Sequence, residues 1–440
     1  MFLGDEVERD GVYFIGIGGV SMSALAKLLA QRGIPVRGSD AAESNLTEQL
    51  RGLGIPVHIG AEEQISEGTV VYTGAIEPHH PQFAAAREAG KRLIPRAEFL
   101  GKLAEEYPHV LSVAGCHGKT TTTCMLAHIF YANEAAFTSH IGGEDLQLEN
   151  VCVAGGEYFI TEACEFQRSF LSIKSEIAVI LNCDRDHTDC YKNEADLHEA
   201  YFEFAKKAKK VVVNADDKWA RMIPHTLDFG LYSGRIRAER VRTQGERYAF
   251  TVTEGGIPTV RIKLNVVGRV HIYNALAAYA TARLAGLSPN QIKAGLEEFI
   301  GVKRRFEQVG TIARVPVICD YAHHPREIAA TIATAEKLCL GTLHVVFQPH
   351  TFTRTRDLLD DFVAVLQKTE RPIIYQTYSA REPYEYAGSA VRLASLVPRA
   401  RYVQSAEQLR ERLCEHLEPH DLILVLGAGD IYNIVKRLID

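Results

Sequence analysis

The run HVLSVAGCHGKTTTTCMLAHIFYA, residues 109–132, reads as a strand, a glycine turn and a helix in that order. His109–Ala114 is apolar and β-branched enough for a buried strand. The turn Gly115-Cys116-His117-Gly118-Lys119-Thr120 then opens a helix. It departs from the G-x-x-x-x-G-K-[ST] spacing because position 113 is Val, yet it keeps the working parts. Gly115 and Gly118 let the backbone approach phosphate oxygens. Lys119 can neutralise terminal phosphate charge, Thr120 can reach a magnesium ion, and Thr121 continues into a helix whose N-terminal dipole favours anions. A lysine in a solvated loop is the bland alternative.

Upstream, Val12 to Ile17 is a β-branched and aromatic run, followed by GIGGVS (Gly16 to Ser21), a helical pattern from Met22 to Gln31 and a second strand at Ile34 to Arg37. The turn has G-x-G-x-x-G spacing with Ser21 in place of the last glycine, and Asp40 follows 24 positions after Gly16. Gly16, Gly18, Gly19, Ser21 and Asp40 are therefore candidates for a pyrophosphate and its ribose. By itself this turn admits three readings: a nicotinamide dehydrogenase, a nucleotide-sugar binder, or a tight turn with no ligand. Further apolar runs at Thr69 to Thr73 and Leu93 to Pro95 complete a small parallel sheet.

Downstream of the lysine loop, strands are predicted at Tyr158 to Thr161, Ile177 to Asn182 and Val211 to Asn214, with an antiparallel stretch over Tyr248 to Leu264. A third series follows at Val315 to Asp320, Leu343 to Gln348, Ile373 to Tyr375 and Leu422 to Leu426. The expected fold is α/β with three domains: an N-terminal Rossmann-like unit over 1–105, a central P-loop-type ATPase unit over 106–302, and a C-terminal Rossmann-like unit over 303–440.

Composition narrows the function. The chain has 440 residues, enough for several cores, and 46% hydrophobic with 24% charged residues excludes disorder, collagen and coiled coil. A net charge of −6 without long basic runs argues against gripping nucleic acid. No apolar run approaches the roughly 20 residues of a membrane helix, and the start MFLGDEVERDGVYF lacks the pattern of a signal peptide. A cytoplasmic protein with a small-molecule partner, no nucleic acid and no membrane is expected. The nine cysteines form no CxxC and read as reduced thiols.

Polar clusters recur after strand ends, where α/β folds place ligands. EACEF carries Glu162 and Glu165, and LNCDRDH carries Asp184, Asp186 and His187. GRVHIYN holds His271 and Asn274, KRRFE holds Arg304 and Arg305, and DYAHHP holds Asp320, His323 and His324. VFQPHTFTRTR adds His350, Arg354 and Arg356, whose guanidinium groups suit carboxylate recognition. Two carboxylates three apart in a strand point to opposite faces, so Glu162 and Glu165 would not share one ligand by alternation alone.

Taken in order, these residues resemble the Mur ligases, ATP-dependent amide-forming enzymes of peptidoglycan precursor synthesis. The resemblance runs nearly end to end through nine segments: GIGGVSMSALA, GCHGKTTTT, EACEFQRSFL, NCDRDH, GRVHIYNALAA, RRFE, DYAHHPREI, FQPHTFTRTRDLLDDF and GAGDIY. It implies a first domain for the UDP part of UDP-N-acetylmuramate, a central ATP domain and a third domain that brings L-alanine. ATP and Mg²⁺ are the implied cofactors. Lys119, Arg305 and His187 would be catalytic, and Gly115, Gly118, Lys119, Thr120, Thr121, His271, Asn274, Arg305 and Asp320 would meet ATP. Thr120, Glu165 and His187 would hold the metal, and His323 and Arg354 the alanine carboxylate. Two departures stand out. Cys116 occupies a position where the family usually has Thr, and Thr351 one where many members carry Arg, leaving less positive charge near the expected alanine site. The alternative acceptor is a preformed murein tripeptide, as in a recycling ligase; a catalytically silent nucleotide-binding partner is a third reading. Either a monomer or a homodimer is expected.

Overall fold

Val12–Ile15 is buried along its whole length because the sheet around it is covered on both faces; Tyr13 and Phe14, which point to opposite sides, are both fully buried. In this computed structural model, which describes residues 5–61, 64–74, 76, 79–184, 190–244, 247–380 and 382–439, that strand is the centre of a five-stranded parallel sheet. The order is Val57–Ile59, Val36–Asp40, Val12–Ile15, Thr69–Tyr72, Arg92–Pro95. The chain builds outward from Val12–Ile15 in both directions, so its C-terminal end is the topological switch point where ligands of open α/β sheets bind. The turn Gly16 to Gly19 lies there. The second strand runs two residues later than the apolar pattern suggests. Pro35 cannot donate to a ladder; its carbonyl instead accepts from the Val12 amide, and pairing starts at Val36.

The second sheet has ten strands. His109–Ala114 lies at its heart between Ile177–Ile180 and Tyr158–Glu162, all parallel. Beyond Tyr158–Glu162 come Phe137–Asp145 and its antiparallel partner Glu149–Val153. On the other side, Lys210–Asn214 and Leu227–Gly230 lead to the antiparallel meander Ile236–Gln244, Arg247–Glu254, Ile257–Val267. The helix Lys119–Tyr131 that follows the central strand is buried over nearly its whole surface, as an all-round apolar helix must be. It packs on Val270–Leu284 and Pro289–Glu298. Gly295 makes the second of these contacts possible, since a Cβ there would stand 2.3 Å from the Ile129 Cα.

The third sheet runs Glu307–Ile312, Val315–Asp320, Leu422–Leu426, Leu343–Phe347, Ile373–Tyr375, Arg401–Val403. It is parallel except for the antiparallel edge strand Glu307–Ile312. Each face carries its own apolar cluster, one around Val317 and Val425, the other around Ile318 and Leu424. The architecture is the three-unit α/β fold expected from the sequence. Among the described residues, no helix is long and apolar enough to cross a membrane.

Candidate active site

The lysine loop has the backbone of an anion cradle. Gly115 and Gly118 have φ of +139° and +86°, and a Cβ at Gly118 would stand 2.6 Å from the Asn274 Oδ1; only glycine fits at that position. Asn182 clamps the turn from the neighbouring strand end: its Oδ1 accepts from the His117 amide at 2.9 Å and its Nδ2 donates to the His117 carbonyl at 3.0 Å. The Lys119 ammonium folds back over the loop, donating to the Gly115 carbonyl at 2.5 Å and to Glu165 Oε1 at 2.9 Å. Burial works against that charge, and the Glu165 carboxylate beside it more than compensates, holding the lysine above its ordinary pKa.

The two carboxylates of EACEF have different partners. Glu162 ends its strand, accepting from the Gly142 amide at 2.6 Å, with the Thr120 hydroxyl near enough to favour its charged form. Burial raises its pKa, with Gly142 and Lys119 pulling the other way. Glu165 lies beyond the strand, where the chain has already turned, so the two-residue alternation no longer governs its direction. Both carboxylates therefore reach the lysine loop, Glu165 as the partner of Lys119 and Glu162 as the partner of Thr120. Thr120 and Glu162 offer two oxygen donors at the head of the loop, while Glu165, expected as a metal ligand, is paired with Lys119. His187, expected as a third ligand, lies outside the described residues.

Between the central and third units lies a cleft of about 460 Å³ lined by Gly118, Thr121, His271, Asn274, Arg305 and Asp320 among others. Six residues expected to meet a nucleotide thus share one wall-to-wall space. Burial, with Arg305 nearby, pushes His271 down to about 4, leaving a neutral imidazole that is hydrogen-bonded to the Asn274 amide at 3.3 Å. Asp320 is pushed up to about 6 by burial against the pull of Arg305. Its oxygens accept from the Phe306 and Ala322 amides at 2.7 and 2.8 Å. The Arg305 guanidinium lies over the Tyr321 ring at 5.0 Å. Its neighbour Arg304 is spent on structure, donating to the Gly427 and Gly429 carbonyls at 3.0 and 2.8 Å.

At the end of the third sheet, His323 and Arg354 are brought together through His350. The His350 ring lies 5.9 Å from that of His323, stacks on Tyr378 at 5.4 Å, and its Nδ1 is 3.4 Å from an Arg354 nitrogen. Thr351 adopts a φ of +66° and caps the following short helix.

A second cleft, of about 790 Å³, opens at the switch point of the first sheet and is lined by Gly16, Gly18, Gly19 and Asp40. Asp40 Oδ2 accepts from the Gly18 amide at 2.8 Å, which sets the shape of the turn. Ser21 is the exception among the expected residues. Its hydroxyl meets His140 Nε2 at 2.9 Å and receives a bond from Arg96 at 3.0 Å, so it faces the central unit rather than the cleft. His140, buried and pushed down to about 4 by burial and by Arg96, was not singled out in the sequence; its partner lies 119 positions away.

Residues 11–108 match the catalytic domain of the Mur ligase family, 113–282 the Mur ligase middle domain, and 304–429 the Mur ligase glutamate ligase domain. The UDP-N-acetylmuramate–L-alanine ligase of Alkaliphilus metalliredigens is 37% identical, over 99% of this chain and 98% of its own. That of Acetivibrio thermocellus is 38% identical, over 96% and 94%. The crystal structure of the UDP-N-acetylmuramate–alanine ligase from Thermotoga maritima superposes with a TM-score of 0.84 at 27% identity, covering 97% of each chain. With matches through all three units and over nearly its full length, the chain belongs to the Mur ligase family.

Proposed function

We propose that this chain is an ATP-dependent ligase that joins L-alanine to the lactyl carboxylate of UDP-N-acetylmuramate in cytoplasmic peptidoglycan precursor synthesis. The observation that carries the reading is the wall of the interdomain cleft, where a glycine-lysine loop meets Arg305 and Asp320 of the third unit. A dehydrogenase, suggested by Gly16 to Ser21 and Asp40 alone, leaves that loop without a role.

In this reading the Gly16–Gly19 turn and Asp40 hold the UDP part, and the sugar extends toward the lysine loop. Gly115, Gly118, Lys119, Thr120 and Thr121 hold the ATP phosphates, and His271 and Asn274 meet the base. Arg305 and Asp320 contact the nucleotide from the far side. The lactyl carboxylate attacks the γ-phosphorus, giving an acyl phosphate and ADP; the amine of L-alanine then attacks the carbonyl and phosphate leaves. Such transfers run on positioning and charge neutralisation. Lys119 turns from Glu165 toward the transferring phosphate, and Arg305 adds charge on the opposite side. Thr120 and Glu162 are the described residues that fit Mg²⁺, with His187 as a further candidate; the bound ion supplies neutralisation of phosphate charge. His323, His350 and Arg354 receive the alanine carboxylate.

The test is phosphate release from Mg·ATP with UDP-N-acetylmuramate, with and without L-alanine, followed by the mass of the sugar product. Release that needs both substrates and gives the alanyl product is expected. Lys119→Ala is expected to lose roughly 10²- to 10³-fold in rate while binding the UDP-sugar as the wild type does. Release only with L-Ala-γ-D-Glu-meso-diaminopimelate would replace the acceptor; normal ligation by Lys119→Ala would remove the loop from the mechanism.

A further inference from the structure

One residue of the lysine loop has no role in the account above. The His117 side chain leaves the phosphate-facing turn and crosses to the third unit. Its Nδ1 lies 2.9 Å from Glu327 Oε1, at the start of the helix Pro325–Leu338, and its Nε2 lies 3.4 Å from Asp184 Oδ2 of the central unit. The three side chains are 16%, 15% and 18% exposed, so the contact is largely shielded from water. Arg326, next to Glu327, pairs with the same Asp184.

Glu327 has a second attachment. While one oxygen holds the loop histidine, the other accepts from the His323 and His324 amides at 3.2 and 3.4 Å. The His323 ring neighbours that of His350, which in turn meets Arg354, so a single carboxylate touches both the phosphate loop and the backbone of the candidate alanine site. His117 is fixed from behind by Asn182, which grips its backbone on both sides. The arrangement is more than a helix cap, because a cap needs only the bonds to residues 323 and 324.

We propose that His117 and Glu327 are positioning residues that couple the phosphate loop to the amino-acid site, so that the loop is set for turnover only while the third unit is docked. The proposal rests on the ligase reading above. Burial opposes the charge on His117, and Glu327 and Asp184 outweigh it, holding the imidazole up at about 10. The same contact holds the Glu327 carboxyl well below its ordinary value against burial, with His323 and Arg305 adding to the effect. The His324 ring, 5.1 Å away, is the other titratable neighbour of His117.

The experiment is a cycle of His117→Gln, Glu327→Gln and the double variant, with His117→Lys as the substitution that keeps a cation. Each single variant is expected to lose about tenfold in kcat/KM for L-alanine. The double variant should lose no more than either single one, KM for UDP-N-acetylmuramate should stay at the wild-type value, and His117→Lys should recover part of the loss. Losses that multiply in the double variant, or a KM for the UDP-sugar that rises in step, would overturn the proposal, since independent roles predict the first and a general loosening of the fold predicts the second. A readout independent of turnover is small-angle scattering of the nucleotide-free protein. A larger radius of gyration for His117→Gln and for Glu327→Gln is expected, and an unchanged radius in both counts against the clasp. A wild-type protein that releases no phosphate with either amine acceptor refutes the ligase reading, and the scattering comparison then judges the clasp separately.

Discussion

The two junctions between the three units are built on opposite principles. Across the first, a single apolar cluster runs from Val12, Phe14 and Leu28 of the first unit to Val110, Phe159 and Phe170 of the central unit. Its polar element is buried: the Lys27 ammonium, 3% exposed, donates to Gln49, Glu149 and Asn150 at 3.0 to 3.1 Å. Asn150 in turn donates to the Val20 carbonyl and the Ser23 hydroxyl, both at 3.0 Å. Across the second junction the apolar clusters stop, and the third unit keeps clusters of its own. What joins it to the central unit includes charged pairs, His117 with Glu327, Arg326 with Asp184, and Lys303 with Glu144 at 3.2 Å. A shared core makes two units one body, whereas a charged seam permits docking and release. The first junction is therefore fixed, and the cleft at the second is the one whose walls can part.

Removing the buried cation is the strongest way to break this contrast. Lys27→Met leaves the Gln49 and Asn150 oxygens without their donor, at about 3 kcal/mol for charged hydrogen bonds lost in a buried setting. Thermal unfolding should then separate into two transitions, for the first unit and for the rest; a single unshifted transition would mean that the apolar cluster alone holds the junction.

Acid and alkali sharpen it, because each junction contains a histidine in a different state. His140 is pushed down to about 4, so the unfolded chain takes up a proton that the folded one refuses. Its contribution is complete above pH 6.5 and is lost as pH falls toward 4, by up to about 3 kcal/mol. His117 is held up at about 10, and its contribution is complete below pH 6.5 and lost as pH rises toward 10. Asp320, pushed up to about 6, has the opposite sign to His140 in part of the acid window. Stability-pH profiles are thus read as differences between wild type and variant. His140→Asn should flatten the acid limb and His117→Gln the alkaline one, and an exchange of limbs would refute the assignment.

The smallest expected effect is steric. Gly101, on the helix Arg96–Ala104, faces the central unit so closely that a Cβ would stand 2.1 Å from the Ser172 carbonyl oxygen. Alanine in a helix ordinarily gains about 1 kcal/mol over glycine. Here Gly101→Ala should instead cost about 1 to 2 kcal/mol through overpacking, measured by denaturant unfolding. A stabilised variant would show that this junction yields more readily than its core suggests.

What was legible in the sequence follows from how local each signal is. His109–Ala114, Val315–Asp320, Ile373–Tyr375 and Leu422–Leu426 occur with the bounds their apolar runs suggest, because central parallel strands are apolar on both faces. Several strands at or next to an edge were not read. Val57–Ile59 and Arg401–Val403 are three residues long, and Phe137–Asp145 carries Gly142 and Gly143 in a run of small and polar side chains. The lysine loop was readable because its parts are adjacent in the chain. The different partners of Glu162 and Glu165 were not, since they depend on where the strand ends. The partners of Ser21 were hidden for a related reason: a motif describes the backbone of a turn, and a side chain added to it goes wherever a partner from a distant segment awaits.

The ion pair between Lys119 and Glu165 has a consequence for selectivity. Glu165 is 46 positions away in sequence yet 2.9 Å away in space, a tethered anion whose effective concentration is on the order of millimolar or above. Any visitor to the loop must outcompete it. Under the proposed function, a lone inorganic phosphate would offer one set of charges and compete unaided, whereas a metal-bound triphosphate would engage the turn, the helix end and the far wall together. The resident carboxylate would then be a built-in competitor that keeps the loop from idling on the reaction's own by-product.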